Sequence, residues 1–190
     1  MRKLATGLFM SLDGVVESPS SWSGPYFDEE LFEWINAGLP QADAILLGRR
    51  TYLEFAELWP AQENATPMAA FLNETPKYVV SSELVPLEWG PASLVRGDLT
   101  AEVDRLKRRA GRNIQVPGSP RLVSSLLREG LLDEFSLAVA PVVVGHGLRL
   151  FDEIGGPVPL KLADSRTMAS GVLALTYQPA LAGGEFEVAH

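Results

Sequence analysis

Residues 44–52 read AILLGRRTY, and this stretch decides how the whole chain is interpreted. A short apolar run that ends in a glycine predicts a buried strand over residues 44–48. The residues that follow, 51–56, have the composition of the first turns of a helix. The stretch therefore predicts a strand, a turn and a helix, with two arginines and a hydroxyl group where the helix begins.

That junction is suited to an anion. The free N–H groups and the macrodipole of a helix N-terminus favour negative charge. The guanidinium groups of Arg49 and Arg50 and the hydroxyl of Thr51 add donors that match the oxygens of a phosphate. We interpret the segment from Gly48 to Thr51 as a site for the phosphates of a nucleotide. The alternative is that Arg49 and Arg50 are solvated turn residues.

The composition bounds the class of protein. The chain has 190 residues, of which 46% are hydrophobic and 21% charged, and this predicts one globular domain over residues 1–190. The formal net charge of −8 disfavours nucleic acid and an acidic membrane surface as partners. Without cysteine there is no disulfide, thiolate metal site or cysteine nucleophile, and the two histidines predict no metal centre. No apolar run approaches a membrane helix, so we expect a cytoplasmic protein.

Strands and helices alternate along most of the chain. Strands are predicted over residues 3–12, 77–82, 93–96, 113–118 and 133–144, and helices over residues 28–38, 66–72, 98–110 and 119–127. Residues 161–167 and 172–177 are predicted to pair as a hairpin. The pattern predicts an α/β fold with a mainly parallel mixed sheet, helices on both faces and an antiparallel C-terminal hairpin.

Polar groups follow three of the predicted strands, at residues 48–51, 81–82 and 118–119. In an open α/β sheet, ligands bind beyond the carboxyl ends of the strands, so these three segments are expected to converge. The chain has neither a GxGxxG nor a GxxxxGK[ST] motif, which disfavours a standard Rossmann dinucleotide site and a P-loop.

The order of these motifs resembles a known family. GRRTY at residues 48–52, VSS at 80–82 and VPGS at 116–119 are similar to motifs of the dihydrofolate reductase fold. SLDG at 11–14 and PVVVGHG at 141–147 bring the chain closest to bacterial proteins similar to the C-terminal reductase domain of the riboflavin-biosynthesis enzyme. The resemblance covers nearly the whole chain. It implies a dihydrofolate reductase-like three-layer fold, NADPH as cofactor, a small-molecule substrate and a homodimer.

The resemblance also implies roles for particular residues. Those it assigns to the cofactor are Gly48, Arg49, Arg50, Thr51, Ser81, Ser82, Gly118 and Ser119. Residues 49–51 would hold phosphates, residues 81–82 would lie near the adenosine ribose and its 2′-phosphate, and residues 118–119 would let the backbone approach the pyrophosphate. Dihydrofolate reductases have two glycines where this chain has Gly118 and Ser119.

The acid of the reaction has two candidates. Hydride transfer to a polarised C=N bond needs a proton source or a charge that orients the heterocycle. In dihydrofolate reductases this group is a carboxylate on the first helix, and Asp28 stands in the comparable place; the alternative is that Asp28 only caps the helix. Asp13 is the second candidate, and the alternative for it is a turn-forming role.

These features support two hypotheses of different classes. The first is an NADPH-dependent reductase of a small heterocycle, for which the resemblance suggests reduction of 5-amino-6-(5-phosphoribosylamino)uracil. The chain lacks the zinc deaminase half of the bifunctional enzyme, so a stand-alone reductase acting on another substrate is equally open. The second hypothesis is a non-catalytic nucleotide- or heterocycle-binding protein that retains the fold.

Overall fold

The computed structural model describes residues 1–180, in which eight strands form one sheet. Residues 181–190, which include His190, lie outside the described residues. The strands β1 to β8 span Leu4–Ser11, Ala42–Gly48, Lys77–Val80, Ala92–Val95, Asn113–Pro117, Glu134–Ala140, Leu160–Thr167 and Leu173–Pro179. The helices α1 to α5 span Glu29–Gly38, Arg49–Leu58, Pro67–Glu74, Leu99–Lys107 and Pro120–Arg128.

The order of strands across the sheet is β4-β3-β2-β5-β1-β6-β8-β7. Strands β1 to β6 run parallel, and β8 is antiparallel to both of its neighbours. The predicted mixed sheet with an antiparallel C-terminal hairpin is therefore confirmed. Because β5 lies between β2 and β1, the carboxyl ends of these three strands are neighbours.

Alternating side chains of the strands build a core on each face of the sheet. On β2, Leu46 packs with helices α4 and α5, whereas Ile45 and Leu47 pack with α2 and α3. Helix α1 covers another part of this second face, where Leu31 packs against Ala138 and its neighbours on β6 and β8. Each fully buried aliphatic side chain contributes roughly 1.5–3 kcal/mol, so amphipathic helices are held on both faces. The predicted three-layer arrangement is confirmed.

Strand β6 is shorter than the sequence predicts. It ends at Ala140, not at residue 144, although the residues beyond it are apolar and β-branched. Pro141 has no N–H to donate to the sheet, and the N–H of Val144 donates to a carboxylate oxygen of Asp13 at 3.0 Å. The backbone donors after Ala140 therefore hold a loop to the end of β1. Among residues 1–180, no helix has both the length and the apolar composition needed to cross a membrane.

Candidate active site

Two strand-to-helix junctions meet at the carboxyl edge of the sheet. The N–H of Gly48, at the end of β2, donates a hydrogen bond to Oγ of Ser119, which precedes α5, at 3.0 Å. Gly118 has a φ of +68°, and a Cβ placed on it would lie 3.3 Å from Cγ2 of Thr51. A glycine is required there because it allows both the left-handed backbone and the close approach of α2. The structure thus brings Gly48, Thr51, Gly118 and Ser119 together.

The helices that begin at these junctions differ from the others at their N-termini. In α1, α3 and α4 the capping side chain, from Asp28, Thr66 and Asp98 respectively, accepts a hydrogen bond from the first turn. In α2 and α5 no side chain caps the first turn. At α5 the hydroxyl of Ser119 instead accepts a hydrogen bond from the N–H of Gly48. Two helix N-termini with available N–H groups therefore lie side by side, which is an arrangement suited to an anion.

Arg49 and Arg50 lie at this edge, and each contacts carboxylates. Arg49 forms an ion pair with Glu83. Arg50 pairs with Glu54 at 2.8 Å and approaches Glu17 at 3.7 Å, and the contact with Glu54 raises the pKa of Arg50. Exposed ion pairs are worth at most about 1 kcal/mol, so a bound phosphate can replace them. Both arginines are thus paired with carboxylates, whereas the alternative interpretation describes them as solvated turn residues.

The third predicted segment lies beside the first two because β3 is adjacent to β2. Ser81 follows β3, and its N–H donates to the carbonyl of Val95 on β4 at 3.2 Å. Its hydroxyl accepts from the N–H of Glu83 at 3.1 Å, and Ser82 next to it is exposed. The ion pair of Glu83 with Arg49 links this loop to the start of α2. All three predicted segments therefore lie along one edge.

Sequence reasoning missed a further cation at this edge. Arg96 follows β4 directly, is exposed, and has no carboxylate within 4.0 Å among the described residues. The hydrogen bond from Ser81 to Val95 places the end of β4 beside the Ser81–Ser82 segment. The signal in the sequence was a cation at the end of a predicted strand, since Arg96 is the last residue of the strand predicted over residues 93–96.

The carboxylate of Asp13 links the loop after β1 to the loop after β6. This carboxylate accepts from the hydroxyl of Ser11 at 2.7 Å and from the N–H groups of Val144 and Gly145 at 3.0 and 2.9 Å, and it lies 3.4 Å from Nη2 of Arg149. The hydrogen bond from Ser11, followed by those from Val144 and Gly145, holds the pKa of Asp13 well below its ordinary value. A carboxylate that stays ionised does not donate a proton at neutral pH, so this geometry favours the turn-forming alternative for Asp13 over the role of proton donor.

Asp28 is engaged in the same way. Its Oδ1 accepts from the N–H of Leu31 at 2.8 Å, which makes it the N-cap of α1, and its Oδ2 accepts from the N–H of Ser170 at 2.8 Å. The bond from Leu31, followed by the contact with Ser170, lowers the pKa of Asp28. The structure favours the capping alternative over the acid role. It also shows that the turn between β7 and β8 is fastened to the first turn of α1.

A groove lies on the face of the sheet that carries α1, α2 and α3. Helix α1 packs over β6 and β8, and α2 and α3 pack over β2 and β3, which leaves β5 and β1 between them. On this face, Gly7 and Phe9 of β1 and Gln115 and Pro117 of β5 are partly exposed. A Cβ on Gly7 would lie 3.7 Å from Nε2 of Gln115, so the absence of a side chain there keeps the floor of the groove open.

Aromatic rings line the side of the groove next to α1. The rings of Phe9 and Phe27 are stacked with centroids 5.5 Å apart, and Phe32 lies at 6.2 Å from Phe27 in an edge-on arrangement. Phe27 is 46% exposed and Phe32 37% exposed, which is high for phenylalanine. This aromatic surface was not predicted from the sequence, although the aromatic residues on both sides of Asp28 indicated it. The three rings offer a face on which a planar ligand can stack.

No group of three or more metal-ligating side chains is found in the described part of the chain. A surface cavity of about 300 Å³ is lined by Leu127, Phe151 and residues of the segment 154–160, and none of the predicted site residues lines it. The chemistry that the geometry supports is therefore at the carboxyl edge, where cations and free N–H groups adjoin an aromatic groove.

Comparison with known proteins agrees with this geometry. The family model described as the RibD C-terminal domain matches residues 2–174. The protein YyaP of Bacillus subtilis is 28% identical over 182 residues, which cover 93% of this chain and 94% of YyaP.

Two solved structures share the fold. A putative riboflavin biosynthesis protein from Shewanella sp. PV-4 superposes with a TM-score of 0.73 at 20% identity, over 95% of this chain and 99% of that one. A diaminohydroxyphosphoribosylaminopyrimidine deaminase/5-amino-6-(5-phosphoribosylamino)uracil reductase from Thermotoga maritima superposes with a TM-score of 0.66 at 14% identity, over 94% of this chain and 57% of that one. The match to this longer protein therefore leaves much of its length outside the comparison.

Proposed function

Because the chain belongs to the RibD C-terminal domain family, we propose that it is an NADPH-dependent reductase of a small heterocyclic substrate. The observation that carries this proposal is the pair of uncapped helix N-termini, α2 and α5, joined by the bond from Gly48 to Ser119. A dinucleotide has a diphosphate, and adjoining N-terminal N–H groups are a general solution for binding one.

The charged residues at the edge fit the rest of such a cofactor. In the proposed complex, Arg50 and Thr51 face the diphosphate at the start of α2. Arg49 is directed towards the loop after β3, as its ion pair with Glu83 indicates. A 2′-phosphate would therefore lie among Arg49, the Ser81–Ser82 segment and Arg96. Guanidinium groups bind phosphate oxygens through paired hydrogen bonds, which supports a preference for NADPH over NADH.

The substrate is proposed to lie in the groove over β1. Bound NADPH supplies a hydride, and the chain contributes the floor at Gly7 and the stacking surface at Phe27 and Phe32. Because Asp13 and Asp28 are both held ionised by hydrogen bonds, we assign neither as the proton donor. The chain would then act mainly by positioning the two ligands, with the proton supplied by water at the open groove.

The second candidate function is a binding protein that retains the fold without turnover. The specific observation that favours it is that both predicted acid candidates, Asp13 and Asp28, accept hydrogen bonds from backbone N–H groups of the protein. Such a protein would bind NADPH and a planar ligand and leave both unchanged.

Two measurements separate these functions. Titration of NADPH, followed by its fluorescence, tests the cofactor site, and we expect saturation below tens of micromolar with weaker binding of NADH. Oxidation of bound NADPH is then followed by absorbance with a panel of pterins, pyrimidinones and quinone-like acceptors. Failure to bind NADPH contradicts both candidates, whereas binding without oxidation across the panel favours the binding protein.

A homodimer is also part of the proposal. Strand β7 forms an edge of the sheet, and its residues from Lys161 to Thr167 are all exposed. Leu162 on this strand and Leu173 on β8 are 49% and 42% exposed. Long exposed edges with apolar residues favour pairing with another chain. Sedimentation of the purified protein tests this, and a monomer at micromolar concentration would contradict it.

A further inference from the structure

We infer that the substrate is a planar heterocycle that carries no phosphate group and no net negative charge. The inference rests on the proposed function, because it concerns the second ligand of the same groove. The observation that carries it is the unequal distribution of charge between the two ends of the groove.

The substrate end of the groove is built by a stretch of chain without cations. Residues 4–48, which include β1, its following loop and α1, contain no lysine, arginine or histidine. The same stretch contains seven carboxylates, at Asp13, Glu17, Asp28, Glu29, Glu30, Glu33 and Asp43. One arginine from outside this stretch, Arg149, reaches it and is paired with Asp13. The other arginines of the site lie at the ends of β2 and β4, where the cofactor phosphates are proposed to bind.

The directions of individual side chains on α1 show where its negative charges lie relative to the groove. Phe32 contacts Phe27 at the groove, and residues three or four apart share one side of a helix, so Glu29 and Asn36 lie on the same side as Phe32. Glu30 points elsewhere, because its Oε2 accepts from the N–H of Ala169 at 2.8 Å. Asp28 stays ionised at the start of the helix. The stacking surface is therefore bordered by negative charge.

The opposite wall adds no positive charge at this end. On the groove face, β5 contributes Gln115 and Pro117, neither of which is charged, and the nearer part of α2 contributes Phe55 beside Gly118. A neutral or cationic ring can stack on the phenylalanines without electrostatic cost. A phosphate ester would place roughly two negative charges next to Glu29 and Asp28, and among the described residues no cation lies within 4.0 Å of either carboxylate.

This substrate class differs from the phosphoribosyl compound in the name of the Thermotoga maritima relative. The groove would accept the ring of such a compound and reject its phosphate. The charges of the groove would thus distinguish two ligands that have similar rings but differ in charge.

The test compares matched compounds with and without phosphate. We use two pairs, 5-amino-6-(ribosylamino)uracil with its 5′-phosphate and riboflavin with its 5′-phosphate, and measure binding by calorimetry with and without saturating NADPH. At least one unphosphorylated compound should bind, and about tenfold or more tightly than its phosphate ester. Equal or tighter binding of a phosphate ester in either pair, or binding of neither member of both pairs, overturns the inference.

A charge reversal tests the physical cause. Glu29→Lys should reduce the preference for the unphosphorylated compound by about tenfold. Glu57→Lys makes the same change of charge at an exposed site near the end of α2 and should leave the preference unchanged. An unchanged ratio in Glu29→Lys contradicts the inference. Direct titration of NADPH into the same proteins is a separate readout, so failure of the cofactor proposal is seen independently of the phosphate comparison.

Discussion

The hydroxyl of Ser119 accepts a hydrogen bond from the backbone N–H of Gly48 at 3.0 Å, although the two residues are 71 positions apart. Ser119 is only 4% exposed and has a left-handed backbone with a φ of 55°. Its hydroxyl stands where a cap for α5 is usually found, yet it is directed to the neighbouring junction. One side chain thus fixes the distance between two helix N-termini and leaves the first turn of α5 without a side-chain cap.

Ser119→Ala removes this link. The N–H of Gly48 would be left without its partner at a partly buried site, so we expect the free energy of unfolding to fall by about 1–3 kcal/mol. NADPH affinity should fall as well, because the two helix ends are no longer held together. Urea denaturation and NADPH titration measure both effects. Ser125→Ala on the exposed side of α5 is the control, and a loss no larger than that of the control would exclude this role for Ser119.

Arg49 should distinguish NADPH from NADH. Its ion pair with Glu83 directs it to the loop after β3, where a 2′-phosphate is proposed to bind. Arg49→Ala should weaken NADPH binding by about tenfold to hundredfold, since a charge-assisted hydrogen bond contributes about 1.5–3 kcal/mol, and should change NADH binding much less. Fluorescence titration with both cofactors measures this. Arg108→Ala, directly after α4, is a matched loss of an exposed arginine, and equal losses for the two cofactors at Arg49 would remove its proposed role.

The fold and the meeting of the three polar segments at one edge of the sheet could be predicted from local patterns. An apolar run followed by glycine marks each of β2 and β5, and parallel strands bring their carboxyl ends to the same edge whatever their order. Asp13 and Asp28 could not be interpreted in this way. The backbone donors that occupy them, at Val144, Gly145 and Ser170, are more than 130 positions away in the chain.

The predicted length of β6 was wrong for a related reason. The apolar composition of residues 142–144 is typical of a strand, but their place in the structure depends on where the chain finds hydrogen-bond partners. Asp13 provides those partners for Val144 and Gly145. The groove was also missed, because it is defined by which strands the helices leave uncovered, and this depends on the sheet order.

The role of Asp28 can be decided by a conservative pair of variants. Asn accepts a hydrogen bond at an N-cap nearly as well as Asp, but its amide nitrogen cannot accept from the N–H of Ser170. Asp28→Asn should therefore lower the melting temperature slightly, and Asp28→Ala, which loses both bonds, should lower it more. If Asp28 only caps α1, NADPH oxidation by Asp28→Asn should match that of the unchanged protein. A loss of turnover in Asp28→Asn with intact NADPH affinity would restore the acid role.

Asp13 should make the stability of the protein depend on acid pH. Its pKa in the folded protein lies below the ordinary value of 3.8 expected for an unfolded chain, so its contribution is present above about pH 4 and is lost as the pH falls towards the folded value. Asp13→Asn should therefore be less stable than the unchanged protein at pH 7, and the difference should shrink below pH 4. Urea midpoints between pH 7 and 3 measure this. A difference that stays constant with pH would show that ionisation of Asp13 does not contribute.

Lys77 gives a second pH dependence, at the opposite end of the range. Its side chain is 1% exposed and donates to the carbonyls of Asn73 and Thr75, both at 3.0 Å, while its Nζ lies 4.3 Å from the centre of a ring of Trp89. The ammonium group thus binds the carbonyls at the end of α3 without a carboxylate partner among the described residues. Burial lowers the pKa of Lys77 from 10.5 to about 8.

The sign of the effect follows from proton binding. Between pH 8 and 10.5 the unfolded chain binds more protons at this lysine than the folded protein does, so the contribution of Lys77 to the free energy of unfolding rises with pH across that window. The unchanged protein should therefore gain stability relative to Lys77→Met as the pH rises from 8 to 10.5. Lys161→Met, at an exposed site on β7, should show no such trend. Urea midpoints of the three proteins across this window test the argument, and a constant difference between the unchanged protein and Lys77→Met would mean that the buried ammonium keeps its ordinary pKa.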